Sequence, residues 1–226
     1  MTSTLPLELH SKFFYYSHKY GLLHTVMSYV GRHSMPIWKV VGSWVTSSYI
    51  RKWLSTSQHH ILNLGGGSNC LEGCLTADID PRADVYVDIT KPLPFPDSSI
   101  DAIFCEEVIE HISLEAGRSL LKECWRTLKP GGVLRLTTPD LNYFAKQAVT
   151  SPSFCDEIND IFYNHGHRYL YTQEALHLAC RETGFVNFKE STYHAPESCL
   201  GYLDSHAERF NLPPETSQYL EIQKPK

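Results

Sequence analysis

Nine residues, Ile61-Leu-Asn-Leu-Gly-Gly-Gly-Ser-Asn69, restrict the fold of this chain more than any others. An apolar segment of strand length runs into three consecutive glycines, and Ala77-Asp-Ile-Asp80 follows about ten residues later. Glycines at such a turn let backbone N–H groups approach a ligand that a Cβ would hold away. A carboxylate closing the next strand then accepts hydrogen bonds from a pair of ribose hydroxyls, a charge-assisted arrangement stronger than a neutral one. Gly65, Gly66 and Gly67 supply the turn, Asp78 is the first ribose candidate and Asp80 the second. Alone, the pattern fits either a nucleotide-cofactor site or a tight turn between two buried strands. It does not fit a dinucleotide site, whose fingerprint puts a full helix after the glycines and the acid about 20 residues further on. Gly67 and Asp78 are too close together for that helix.

With 226 residues, 42% of them apolar, and a mean hydropathy of −0.27, the chain is long enough for one α/β core and too short for two full domains. No apolar run reaches the ~18 residues of a membrane-spanning helix, and the N-terminus shows no uninterrupted apolar leader with a small-residue cleavage site. Seven cysteines, an odd number without framework spacing, fit reduced thiols in a cytoplasmic protein. Cys70 and Cys74 form a lone C-x-x-x-C and fit small core or loop thiols better than zinc.

Charge is unevenly spread. Residues 1–56 hold six basic side chains (Lys12, Lys19, Arg32, Lys39, Arg51, Lys52) against one acid, Glu8, which makes +5; with the whole chain at −5, the remainder carries −10. The same segment is rich in aromatics, among them Phe13, Phe14, Tyr15, Tyr16, Trp38, Trp44 and Trp53. A basic, aromatic extension before an acidic domain fits a lid, part of an acceptor pocket or a peripheral contact with a membrane surface. An amphipathic helical arm packed on the domain fits equally well.

Periodicity and breakers predict a helical arm over about 8–54, then strands over 60–64, 75–79, 84–88 and 100–105. A helix over 113–128, a strand over 132–138, an irregular helical insert over 141–166 and a helix over 172–183 follow. A strand over 185–191, a loop over 193–216 and a last strand over 217–223 complete the order. Ser113 and Thr172 serve as N-caps, while Lys129-Pro-Gly-Gly132 and Gly184 stop helices. The prolines of Lys91-Pro-Leu-Pro-Phe-Pro96 forbid a helix there. Residues 1–56 thus read as an N-terminal arm or lid and 57–226 as the domain, whose alternating strands and helices predict an α/β sheet covered on both faces.

Taken in order, Leu62-Asn-Leu-Gly-Gly-Gly67, Ala77-Asp-Ile-Asp80, Val87-Asp-Ile-Thr-Lys-Pro-Leu-Pro-Phe95, Ser99-Ile-Asp-Ala-Ile-Phe104 and Leu128-Lys-Pro-Gly-Gly-Val-Leu-Arg-Leu136 resemble the successive motifs of class I S-adenosylmethionine-dependent methyltransferases, over about residues 60–192. Within that superfamily the chain resembles the type-11 group, with a much shortened first helix. The resemblance implies a Rossmann-like seven-stranded mixed sheet with the last strand antiparallel and helices on both faces, the cofactor lying across the strand C-termini. It implies that Asn63 and the turn Gly65, Gly66, Gly67 face the methionine part and that Asp78 and Asp80 face the ribose. Asp88 and Ile89 would meet the adenine, with Leu93-Pro-Phe95 lining its pocket, and Cys105 and Glu106 would sit near the sulfonium. Asn63 stands where many members carry an acid, and Asn69 where many carry a third glycine. The residues themselves also allow Asp88 to be a turn carboxylate before Lys91, and they make Asp101 a turn-pinning group.

Glu107-Val-Ile-Glu110-His111 puts two carboxylates and an imidazole at i, i+3 and i+4, on one face if the segment makes a helical turn. With His167, from the segment after the fifth strand, Glu107, Glu110 and His111 form a mixed ligand set suited to Mg²⁺ or Mn²⁺. E-x-x-E-H followed by a later histidine is similar to the metal-dependent small-RNA 2′-O-methyltransferases, and ubiquinone-pathway O-methyltransferases show a related E-x-x-E-H. In those families the metal acts as a Lewis acid. Three uses stay open: a divalent-metal site, a base built on His111 or His167 with Glu107, and a purely structural cluster. Histidine suits the base role because its pKa lies near the working pH. The expected reaction is methyl transfer to a hydroxyl of a small-molecule, lipid-linked or glycan-type acceptor, chosen by residues 1–56, 141–170 and 193–216. An RNA acceptor is the alternative, opposed by the acidic domain, which lacks a basic run. A cofactor-binding assembly protein without turnover is a third reading.

Overall fold

A computed structural model describes residues 35–151 and 153–226. The first part of the predicted arm, residues 1–34, lies outside the described residues. Helix α1 (Met35–Thr56) precedes β1 (Ile61–Leu64), β2 (Cys74–Asp78), β3 (Val85–Tyr86) and β4 (Ile100–Glu106). Then come α2 (Leu114–Thr127), β5 (Leu128–Pro139), α3 (Leu141–Thr150), α4 (Phe154–Asn164), α5 (Gln173–Thr183) and β6 (Val186–Ser191). A short α6 (His206–Phe210) and β7 (Ser217–Gln223) end the order. The strands form one sheet in the order β3-β2-β1-β4-β5-β7-β6. β1 to β5 run parallel, and β7 is antiparallel to both β5 and β6, as expected. No helix intervenes between β1 and β2, as the spacing from Gly67 to Asp78 required. Among the described residues no helix is long and apolar enough to cross a membrane.

The helix stops and starts follow their local chemistry. The Ser113 hydroxyl accepts the Ala116 N–H at 3.3 Å and that of Thr172 accepts the Ala175 N–H at 3.2 Å, so both act as N-caps. Gly184 ends α5 at φ +102°, a conformation that a side chain resists. The fifth strand begins earlier than its apolar run suggests. Leu128 already pairs with Ile100, a shift in register then absorbs Lys129 to Gly132, and pairing resumes at Val133 with Ala102. Asp101 pins that corner, accepting the His60 N–H at 2.8 Å and the Lys129 ammonium at 2.7 Å.

Cross-strand partners share a face, so the registers separate the two sides of the sheet. Leu75, Leu62, Ile103, Leu134 and Ile222 form one row, all buried in the main core against α2 and α5. The adjacent row points the other way and reads Thr76, Asn63, Phe104, Arg135 and Glu221, which is mostly polar yet buried. Its cover is the segment 193–216. This segment is more ordered than the predicted loop, with 3₁₀ turns at Gly201–Leu203 and Pro214–Thr216 flanking α6. Leu200 and Leu203 pack on Cys74, Ala102 and Phe104. Arg135 makes a two-pronged ion pair with Asp204 at 2.7 and 2.6 Å, both side chains fully buried. On the far edge, α1 lies along β3, and the Thr46 hydroxyl bonds both the carbonyl (3.2 Å) and the N–H (3.1 Å) of Tyr86.

Candidate functional site

The glycine turn leaves β1 and is braced from below. Gly65 and Gly67 take φ +76° and +56°, the left-handed region that glycine enters freely. A Cβ on Gly66 would lie 2.3 Å from Nδ2 of Asn63, so the turn sits directly on that side chain. Asn63 is buried and donates to the Asn69 carbonyl at 2.8 Å and the Thr76 hydroxyl at 3.3 Å. Its amide therefore holds the turn's shape. Asp78, at the end of β2, accepts the N–H of Gly67 at 2.9 Å and of Asp80 at 2.7 Å. Burial pushes the Asp78 carboxyl up, opposed by these backbone donors. Gly67 faces open space on its Cβ side. Bare backbone beside an acid at a strand end fits the cofactor that the sequence motifs imply.

The remaining cofactor candidates divide. Asp80 is clasped by the Arg82 guanidinium, with Nε at 2.9 Å from one oxygen and Nη2 at 2.5 Å from the other. Asp88 accepts the N–H and hydroxyl of Thr90 at 3.0 and 2.6 Å, the turn arrangement the sequence allowed, and lies on a cavity of about 300 Å³ that Thr46, Tyr86 and Lys91 also line. Ile89, half-buried, packs on the main core. Cys105 lies within that core, where burial pushes its thiol far up. Glu106 points to the opposite face and meets the 193–216 segment. One oxygen accepts the N–H groups of Ser205 (2.7 Å) and His206 (3.1 Å) and the other meets the Arg209 guanidinium at 2.6 Å. Burial works to raise its pKa, but hydrogen bonds from His206 and Ser205 and the Arg209 charge bring it to about 2.

After β4, Glu107 takes φ +54°, an uncommon backbone for a side chain of its kind, and the 3₁₀ turn Ile109–His111 follows. Glu107 is therefore not stacked over Glu110 as a regular helical turn would have it. The ligand atoms of Glu110, His111 and His167 lie within 4.8 Å of one another, a group that does not include Glu107. Glu110 is fully buried. Its Oε2 accepts the Thr138 hydroxyl at 2.9 Å, while Oε1 has no hydrogen-bond partner and lies 3.7 Å from His111 Nε2 and 4.0 Å from His167 Nε2. Burial raises the Glu110 carboxyl, and burial together with the nearby Glu110 raises that of Glu107. The two imidazoles meet edge to face at 4.6 Å. His167, whose Nδ1 is buried without a partner, is pushed down to about 4 by desolvation and its two neighbouring histidines. His111 is more exposed and is lowered by desolvation, against a hydrogen bond to the Gly166 carbonyl that works to raise it.

Sequence reasoning missed Thr138, Ser205 and His206. Each meets its carboxylate from more than twenty residues away, and no local pattern announces such a contact.

A family profile described as a methyltransferase domain matches residues 73–136, from just before β2 to within β5. A stretch of 81 residues is 35% identical to a Mycolicibacterium smegmatis protein described as a "Probable S-adenosylmethionine-dependent methyltransferase", covering 35% of this chain and 31% of that one. A Mycobacterium tuberculosis protein of like description is 32% identical over 81 residues, covering 35% and 29%. The matched stretch thus spans about a third of the length of these curated relatives. Among solved structures, a SAM dependent methyltransferase from Archaeoglobus fulgidus superposes with a TM-score of 0.51 at 16% identity, over 80% of this chain and 93% of that one. A SAM-dependent methyltransferase from Thermotoga maritima does so with 0.51 at 16%, over 88% and 98%. At that identity the likeness is one of fold. Residues 73–136 thus match a methyltransferase domain, and the strand order is similar to that of solved SAM-dependent methyltransferases.

Proposed function

We propose that this chain transfers a methyl group from S-adenosylmethionine to a hydroxyl of a small-molecule, lipid-linked or glycan-type acceptor. One observation carries the reading: the glycine turn leaves the C-terminal end of β1, and Glu110 and His111 follow that of the neighbouring parallel strand β4, where His167 joins them from the segment after α4. When bound, the cofactor supplies a carbon already activated by its sulfonium. Gly65, Gly66 and Gly67 present backbone to its methionine part, Asp78 accepts from the ribose, and Asp88 with Ile89 flanks the adenine. The protein's work is then alignment and removal of one proton. His111 suits that task better than His167. A group at about 4 is a weak base at neutral pH, whereas His111 is more exposed, bonds the Gly166 carbonyl and has its Nε2 3.7 Å from Glu110 Oε1. Residues 1–56 serve as arm or lid, and 141–170 and 193–216 shape the acceptor side of a cytoplasmic enzyme.

A second reading takes the same cluster as a divalent-metal site, with Glu110, His111 and His167 as ligands and Glu107 outside the set. The partnerless Glu110 Oε1 and His167 Nδ1 favour it. Such a metal would gather acceptor oxygens and lower the pKa of a hydroxyl. An RNA acceptor draws support only from that cluster, against the −10 charge of residues 57–226.

The test is calorimetry with S-adenosylhomocysteine, followed by its release across an acceptor panel, with and without EDTA. His111→Ala is expected to lower turnover about 100-fold or more while leaving cofactor affinity unchanged. In the wild type the acid limb of turnover should fall below pH 6.5, because His111 must be neutral to accept the proton and its pKa is depressed. Unchanged turnover in the variant rejects the base, loss of turnover with EDTA favours the metal, and binding without turnover on any acceptor favours a cofactor-binding assembly protein.

A further inference from the structure

We infer that Ser205 and Glu106 are positioning residues of the cofactor site, fastening the 193–216 segment to Asn69 and through it holding the glycine turn in shape. The inference rests on reading Gly65 to Gly67 as the cofactor turn.

Besides the Gly65 N–H, which bonds the Ala77 carbonyl of β2 at 2.8 Å, three side-chain tethers fix that turn. Asp78 holds the Gly67 N–H, Asn63 holds the Asn69 carbonyl, and the Asn69 amide Nδ2 donates to the Ser205 hydroxyl at 3.0 Å. The first two come from strands that the sheet already fixes. The third comes from residue 205, 136 positions away in sequence, within a segment that belongs to no strand. Ser205 is suited to bridge: its oxygen accepts from Asn69 while its proton goes to Glu106 Oε2 at 2.9 Å. Glu106 in turn takes the Ser205 and His206 N–H groups, the His206 ring at Nδ1 (3.2 Å) and the Arg209 guanidinium. His206 is completely buried, and its Nε2 lies 3.1 Å from the Tyr219 hydroxyl on β7. The hydroxyl of Ser205 therefore has no rotational freedom left. The low pKa of Glu106 keeps this carboxylate ionised, the form that accepts from every one of these donors.

Such a tether matters because three consecutive glycines lose more backbone freedom on ordering than any other residues. Each external bond lowers what the ligand must supply in ordering them. Gly66 and Asn69 close the turn between them, the Asn69 N–H bonding the Gly66 carbonyl at 2.8 Å, so a pull on Asn69 is felt at the glycines.

The experiment is calorimetric titration of S-adenosylhomocysteine into the full chain and its Asn69→Ala, Ser205→Ala and Asn69→Ala/Ser205→Ala variants, with Tm measured for each. Both single variants are expected to bind about fivefold more weakly, the size of one lost hydrogen bond. The double variant should bind no more weakly than the poorer single, since one shared bond is removed. Ser205→Thr, which keeps the hydroxyl, should restore affinity to within about twofold. Where Ser205→Ala does not fold, Asn69→Ser carries the comparison alone. Variants with lowered Tm and wild-type affinity would make the contact purely structural and overturn the inference, as would losses that multiply in the double variant. A wild-type chain that fails to bind the probe rejects the cofactor reading itself, and the inference with it.

Discussion

Gly66 and Gly67 are neighbours of the same type with opposite surroundings, and the difference yields a paired prediction. A methyl group on Gly66 meets the Asn63 amide at 2.3 Å, and Asn63 is buried and held by two hydrogen bonds, so it has nowhere to retreat. Gly66→Ala should destabilise the fold by about 1–3 kcal/mol, the usual cost of overpacking. A methyl group on Gly67 meets nothing within 4 Å but must be carried at φ +56°, at a cost of about 1 kcal/mol. Its methyl group enters the open space beside Asp78, however, so Gly67→Ala should weaken cofactor binding far more than it weakens the fold. Urea unfolding and calorimetry on the two variants check the pair. The same stability ranking in both measurements would break the argument. Asp78 and the glycines were legible in sequence because their chemistry is local, packed into one turn and the end of the next strand. The partners of Glu106 were not, because Ser205, His206 and Arg209 lie about a hundred residues away and no local pattern links them to a carboxylate leaving β4.

At the level of elements, most strands and long helices emerge from periodicity and caps within a residue or so, as β7 (Ser217–Gln223) and α5 (Gln173–Thr183) do, whereas β5 starts four residues before the expected 132 and β3 shrinks from the expected 84–88 to Val85–Tyr86. What periodicity does not convey is how the polar row of the sheet is covered. Asn63, Thr76, Arg135 and Glu221 alternate with apolar residues as they would on a solvated face, yet all four are buried. Their cover lacks helical periodicity because it satisfies side chains rather than packing a ridge on a sheet. Arg135 alone bonds Asp204, the hydroxyls of Ser191 and Ser198, and the Thr192 carbonyl. Asp204→Ala leaves that guanidinium buried without its counter-charge and should cost about 3–5 kcal/mol in denaturant unfolding. Replacing both partners with apolar residues of similar volume should cost less than the single change. A single variant of near wild-type stability would mean that water reaches Arg135.

Across the whole molecule, the charge divides between the +5 of residues 1–56 and the −10 of the remainder. The basic, aromatic character of the first segment motivates a peripheral contact with anionic lipid. Flotation with phosphatidylserine-containing vesicles should carry the chain upward at low ionic strength and release it as salt rises toward 0.5 M, as screening shortens the field. Absence of flotation at any salt leaves the segment as a lid. Helix α1 has a second consequence, which lies in the Thr46 hydroxyl and the two main-chain groups of Tyr86 that it occupies. β3 ends the sheet, and the main chain of an outermost strand is a template on which a stray strand from another molecule can grow. A version of the chain beginning at residue 57, which also loses Ile50 from the main core, should therefore be less stable and self-associate more than the full chain, as sedimentation at rising concentration would read. Thr46→Val, which keeps the helix and removes only the hydroxyl, should show a weaker form of the same behaviour. The arm would then guard the protein's solubility whether or not it ever touches an acceptor.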